Sequence, residues 1–468
     1  MSTDSKSTDG LSANPLAAVD ANWAWQRYEP TAEAPWDLPR AAHLLRRAGF
    51  APSWNQLEEA VQNGCGPTID RLLVGDPGSE AFYDQAEISA ESLLGSNNPT
   101  NLPAWWLNVM LHTPHPLREK MTLFWHGHFA TSSAKVTEVR MMRRQHGYLR
   151  QHALGRFGPL LSAVSKDPAM LIWLDSTTNH KTHPNENFGR EVMELFCLGL
   201  GNYTEHDIKE AARAFTGWEV RQGEFRFNSY QHDPGAKTVL GKTGSWTGDD
   251  VLGILLEQPA TGRFLVRKLF RYFVSDAAEP PESLVEPLAQ SLREHDYDMT
   301  WLLRTLLASN LFYSPHALRQ KIKPPVDLAV GLLRALEGTA NTYALADDLR
   351  ILGQAVFFPP NVKGWDGGTS WINSSTLLAR ANLVWGLVSD EPKFKTRIHV
   401  ERLAALGGIN DPAQQARRLV ELLISFPLPD EVYIQLTAVA GDTGAGDQRL
   451  RLARVVQAIA TLPEFQLA

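Results

Sequence analysis

The run His183-Pro-Asn-Glu-Asn-Phe-Gly-Arg-Glu-Val-Met-Glu-Leu-Phe196 carries the polar residues best spaced for chemistry. If it is helical, Asn187, Arg190, Glu191 and Glu194 share one face, while Phe188, Val192, Leu195 and Phe196 take much of the rest. Carboxylates set among apolar residues require a partner, and the chemistry narrows that partner to arginine, histidine or a metal ion. Glu191 and Glu194 at i, i+3 resemble half of a carboxylate metal site, although no Glu-x-x-His motif completes the four-helix di-iron pattern. An internal ion pair with Arg190 or Arg213 is the alternative.

His126 and His128, in Phe124-Trp-His-Gly-His-Phe129, are the clearest candidate ligand pair. On extended backbone an HxH spacing sets both imidazoles on one side, whereas on a helix they diverge by roughly 200°. The preceding Leu117 to Phe124 reads as helical, which puts the pair at a helix end, where Gly127 frees the backbone. Two helix-end histidines with ordinary hydrogen bonds are the plainer reading. His232-Asp233 precedes Pro234-Gly235 and therefore lies in a turn, from which His232 could supply a third ligand. Asp207, Glu210 and Arg213, spaced i, i+3, i+6, read first as pairing on a helix surface.

Common signatures are missing. The chain holds no HExxH, CxxC or GxSxG, and no GxGxxG in a strand-turn-helix setting. Gly235 to Thr243 imitates a phosphate-binding loop, but five residues separate its glycines where four are required. Trp125, Trp173, Trp218, Trp365 and Trp371 flank the candidate loops, and such rings suit sugar faces or cations as well as core packing.

Helices must position most of these groups. After Pro39, apolar residues recur at helical spacing, as in Leu265, Leu269, Tyr272 and Phe273, and in Leu302, Leu303, Leu306 and Leu307. Thr204 to Asp207 resembles a capping box, and Pro116 and Pro324-Pro325 suit first turns. The strand candidates fall between Trp218 and Leu240. The expected fold is therefore mostly α, a multi-helix globular array with a small β-hairpin insertion near residues 220–245. A disordered tail is expected at 1–25, a main helical domain carrying the polar site at 37–390, and C-terminal helices packed on it at 391–468. The Gly/Pro/aromatic loop from Phe357 to Trp371 interrupts the helices, and its tryptophans argue that it is packed.

Bulk properties bound the partners. The 468 residues are 43% hydrophobic and 21% charged, ordinary for a globular protein, and the net charge of −7 gives no global case for nucleic acid. Cys65 and Cys197 are too few and too far apart for a disulfide framework. No run of about eighteen apolar residues predicts a membrane span. With no apolar segment near Met1, the sequence as written is expected to be cytoplasmic.

Taken in order, several motifs resemble the bacterial domain-of-unknown-function family 1800: His43-Leu-Leu-Arg-Arg-Ala-Gly-Phe50, Arg118 to Phe129, Asn185 to Phe196, Tyr203-Thr-Glu, Ala214-Phe-Thr-Gly-Trp218, His232-Asp233 and Pro359-Pro-Asn-Val-Lys-Gly-Trp365. The resemblance runs from about residue 37 to Pro463-Glu-Phe-Gln466. It implies a mostly helical protein, and an exported one if the start site or signal is misassigned. It also implies a co-encoded partner from a family related to alkaline phosphatases.

Two functions follow as expectations. In the first, a metal-dependent, hydrolase-like enzyme binds a divalent ion through His126, His128 and His232, with Glu191 or Glu194 as further ligand or general base and Arg190 holding an anionic group. In the second, a non-catalytic binding or assembly protein uses its Trp-rich loops to recognise a glycan, peptide or protein partner.

Overall fold

Capping signals start many of the helices where the sequence places them. Asp37 accepts from the Arg40 amide and opens the Leu38–Arg47 helix with Pro39 in its first turn. Thr204 and Asp207 close a reciprocal capping box at Glu205–Ala214, and Pro116 and Pro325 each begin a helix, Pro116–His128 and Pro325–Ala335. The computed structural model describes residues 14–442, 444 and 447–468. Among these the protein is mostly α-helical, as expected.

The β structure is two separate antiparallel hairpins. β1 (Trp218–Arg221) pairs with β2 (Glu224–Phe227), with Trp218 opposite Phe227, and β3 (Lys237–Val239) pairs with β4 (Lys242–Gly244), with Lys237 opposite Gly244. The segment that imitates a phosphate-binding loop is thus a hairpin, and its Lys237 ammonium donates to the carbonyl of Gly235 and, nearby, to that of Asp233.

Apolar side chains gather in two cores. One joins the first part of the chain to the last, with Trp54, Trp106, Val330, Val384, Leu419 and Val455 in a single cluster. The C-terminal helices Pro412–Leu423 and Gln448–Thr461 therefore share their core with helices from the first third of the sequence. The other core holds Trp125, Phe157, Phe196, Leu265, Phe270 and Leu303. The Pro116–His128 helix lies between them, giving Leu123 to the first and Leu117, Met121, Phe124 and Trp125 to the second. A helix covered on every side must find internal partners for its polar residues.

The expected tail at 1–25 lies outside the described residues over 1–13, and the remainder is packed. Leu16 and Ala24 are buried, Asn14 donates to the Glu279 carbonyl at 2.9 Å, and the Trp25 indole donates to Leu284 O at 2.9 Å. Averaged composition hid these apolar anchors, which tie Asn14 to Trp25 onto the body. No helix among the described residues is long and apolar enough to cross a membrane.

Candidate functional site

Inside the Pro116–His128 helix, Glu119 is fully buried and satisfied by two donors: the Arg150 guanidinium at 2.9 Å and the Trp106 indole at 2.7 Å. Lys120 pairs with Asp327. These bonds fix the rotation of the helix. Its helical geometry continues through His128, so the two histidines point to different sides, and the extended arrangement that would bring them together does not occur.

His126 lies in an aromatic box, with ring centroids 5.2 Å from Trp106, 5.2 Å from Phe357 and 5.7 Å from Trp365. Its Nε2 accepts the Phe357 amide at 2.9 Å. Phe357 itself has a φ of 65°, and its carbonyl accepts from the Ser133 amide at 2.9 Å, so His126 and Ser133 together hold a strained turn. Burial pushes the His126 imidazole down to about 3.

His128 faces the second core. Its Nε2 lies 3.1 Å from the Phe196 carbonyl and its Nδ1 lies 3.1 Å from the Lys268 ammonium. A carbonyl only accepts and an ammonium only donates, so the proton resides on Nε2 and Nδ1 is the acceptor. Burial, and then the neighbouring Lys268, hold this imidazole well below its usual range. His232 stands elsewhere, in the turn after β2, with Nδ1 2.9 Å from Thr216 O and its ring 5.3 Å from Phe227. Each of the three imidazoles thus has its own surroundings. Among the described residues no group of three or more His, Cys, Asp or Glu side chains is placed to hold a metal ion.

The polar seam is helical but does not stay on one continuous α-helix. Asn187–Glu191 passes into a π-turn, Val192–Cys197, where the Leu198 amide bonds back to Met193 O at 2.7 Å. Single π-turns inside helices recur at functional sites. The seam then divides among separate partners. Asn187 donates to Leu174 O at 2.9 Å, Arg190 forms a two-pronged pair with Glu205 at 2.8 Å on both arms, and Glu194 accepts from the Tyr203 hydroxyl. Arg190 therefore orients Glu205, with Glu186 at the start of its own helix 3.9 Å away, rather than Glu191 or Glu194. Half-buried Glu191 has no hydrogen-bond partner among the described residues, and burial and then the neighbouring Glu194 raise its carboxyl.

The next helix is a bracket for the β structure. Glu210 accepts from Arg213 at 2.9 Å and from the Thr238 amide at 2.9 Å, Arg213 bonds Asp233 at 2.7 Å, and Asp207 accepts the Leu240 amide at 2.7 Å. Side chains that look like surface pairs in sequence hold the His232 turn and β3 in place.

A residue the motifs passed over is Lys268. It lies on the Pro259–Phe273 helix, with its ammonium 5.0 Å from the Phe264 ring and no carboxylate within ion-pair distance among the described residues. Burial, then Arg271 and Lys363, push it down to about 8. Leu265, Lys268, Leu269 and Tyr272 are spaced i, i+3, i+4, i+7, so a lysine on the apolar stripe was the available signal.

The loop from Phe357 to Trp371 closes over the end of the Pro116–His128 helix. Gly364, at φ 84°, sits so tightly on Gly127 that a Cβ there would collide with the Gly127 carbonyl oxygen. Trp371 is buried, as are Trp125 and Trp218, whereas Trp173 and Trp365 reach the surface in part.

The model of the family described as "Protein of unknown function (DUF1800)" matches residues 43–467. The chain belongs to that family. No curated protein and no solved structure matches it. The DUF1800 match begins at His43, whose Nε2 lies 3.0 Å from Phe312 O, and it takes in both cores, the π-turn and the loop over Gly127. In this DUF1800 chain the histidines and glutamates that invite a metal reading stand apart, His126 on the Phe357 amide, His128 between Phe196 O and Lys268, His232 on Thr216 O and Glu194 on Tyr203.

Proposed function

We propose that this chain is a binding or assembly protein whose recognition surface is the face around Trp365, where a firmly seated loop meets the end of the Pro116–His128 helix. One observation carries the reading: the three histidines stand apart, and four of their six ring nitrogens already bond to Phe357 N–H, Phe196 O, Lys268 and Thr216 O. The contact of Gly364 with Gly127 holds the loop in place, so a partner meets a preorganised, partly exposed indole beside the Lys363 and Asp366 pair. A glycan or peptide fits such a surface, and so does a co-encoded protein partner. Titration of Trp365→Ala against a glycan and peptide array tests this. Loss of about tenfold or more in affinity with unchanged melting supports it, and binding equal to that of the wild type sets it aside.

A second reading rests on Glu191, a half-buried carboxyl without a partner, next to Glu194 on a π-turn. Two neighbouring carboxyls whose environments differ suit acid and base roles. In this reading Glu191, whose carboxyl is raised by burial and then by Glu194, serves as the acid, and Glu194, bonded to the Tyr203 hydroxyl, is its partner, with no histidine involved. Glu191→Gln would abolish turnover of a responsive substrate while leaving Trp365-dependent binding intact.

A further inference from the structure

A groove of about 220 Å³ opens where the Asn101–His112 helix meets the Ser79–Leu94 and Thr342–Ile351 helices, and Trp365 and its loop are not among the residues that line it. Buried Ala104, Trp105 and Val109 form the floor. The Trp105 indole donates to Ala86 O at 3.1 Å and the Arg150 guanidinium lies 5.1 Å from its ring, so the floor is fixed from within the protein. Phe82 stands on one flanking helix and Tyr343 on the other. The Tyr343 side chain is 43% exposed, yet its hydroxyl lies 3.2 Å from Asn101 Oδ1, which holds the ring at the mouth of the groove.

The polar groups on this surface are all neutral. Among the described residues no Lys, Arg, His, Asp or Glu lines the groove. The side-chain amides of Gln85 and Asn108 and the Thr342 hydroxyl make no hydrogen bond among the described residues, and Ser89 donates to Gln85 O at 2.9 Å, which leaves its oxygen free to accept. An amide offers two donors and an acceptor side by side, and adjacent hydroxyls present the matching pattern. A charged ligand would find no counter-charge here, and a wholly apolar one would strip water from four polar groups without replacing their bonds.

The volume lies below the roughly 300 Å³ at which clefts begin to take drug-sized molecules, so the groove suits a single small ring. We propose that it binds one uncharged sugar ring of the hexopyranose class, with the apolar face of the sugar against Tyr343 and its hydroxyls on Gln85, Ser89, Asn108 and Thr342. A flat ring with a polar edge suits a sugar face, and the four neutral side chains supply the donors and acceptors that fix its orientation. This site is separate from the surface around Trp365 and does not depend on that reading.

The test titrates the full chain with the methyl glycosides of glucose, galactose and mannose, followed by saturation-transfer NMR, with glucuronate as the charged control. Saturable binding of at least one neutral glycoside is expected, with a Kd on the order of 1 mM, and glucuronate should bind at least about tenfold more weakly. Asn108→Ala and Tyr343→Ala should each weaken the glycoside about tenfold, and Trp365→Ala should leave it unchanged. Wild-type crystals soaked in the glycoside carry the proposal even if a variant fails to fold, with the sugar expected within hydrogen-bond reach of Asn108. No saturable binding of any neutral glycoside overturns the proposal. So does equal affinity for glucuronate, full affinity in folded Asn108→Ala and Tyr343→Ala, or binding lost in Trp365→Ala, which would put the sugar on the other surface.

Discussion

Gly364 rests on Gly127 with no room for a side chain between them, and this contact ties the Pro/Trp loop to the helix end that carries His126 and His128. Gly364→Ala would meet both a left-handed backbone, at φ 84°, and the Gly127 carbonyl. The expected loss is roughly 2–4 kcal/mol in denaturant unfolding, with the loop displaced and Trp365-dependent binding weakened. Unfolding like that of the wild type would show that the loop is not anchored there.

Replacing His126 and His128 together by alanine removes an acceptor from the Phe357 amide and leaves Phe196 O and Lys268 without their shared partner. Each unsatisfied buried group costs about 1–3 kcal/mol, so a marked drop in melting temperature is expected, with metal content unchanged. Elemental analysis of untagged protein checks the second half. Stoichiometric metal in the wild type that vanishes in the variant would return the histidines to a ligand role.

Four fully buried histidines, His43, His126, His128 and His146, are all held below their usual range, with burial as the largest cause. As pH falls through about 6.5 the unfolded chain binds protons that the folded chain does not, and stability declines by about 1.4 kcal/mol per pH unit for each such histidine. Asp167 acts with the opposite sign. Burial pushes it up to about 7, so the folded state takes its proton first and gains stability as pH drops from about 7 towards 4. Glu191, whose carboxyl is also raised, acts with Asp167; four imidazoles outweigh these two carboxyls, and melting temperature should fall steadily from pH 6.5 to 5. A flat or rising profile would mean that these imidazoles are not buried neutral.

Arg213 links Glu210 on its own helix to Asp233 in the turn that carries His232. Arg213→Ala should cost about 1–3 kcal/mol and increase amide hydrogen exchange in β3 and β4, because Glu210 also holds the Thr238 amide. Unchanged exchange in those strands would reduce the bracket to an ordinary surface pair.

Much of the architecture was legible in the linear pattern. Thr204 with Asp207, Pro116 and Pro325 marked helix starts because capping and proline geometry act over three or four residues, and the strand candidates between Trp218 and Leu240 contain β1, β2 and β3. Site composition was legible less well. The spacing of Asn187, Arg190, Glu191 and Glu194 showed a shared helical face, but their partners, Leu174 O, Glu205 and Tyr203, come from other segments.

Residue order alone determined that this chain would be helical, where several helices begin, and which side chains were capable of chemistry, since those properties depend on neighbours within one turn. Tertiary structure decided what each of those side chains touches. Carrying the helix through His128 turned His126 towards Trp106 and Phe357 and His128 towards Phe196 and Lys268, and gathering Arg46 with Lys323 and Asp327 brought together residues about 280 positions apart. Contacts over such separations follow from how apolar faces fit across two cores, a property of the whole chain that no local window contains.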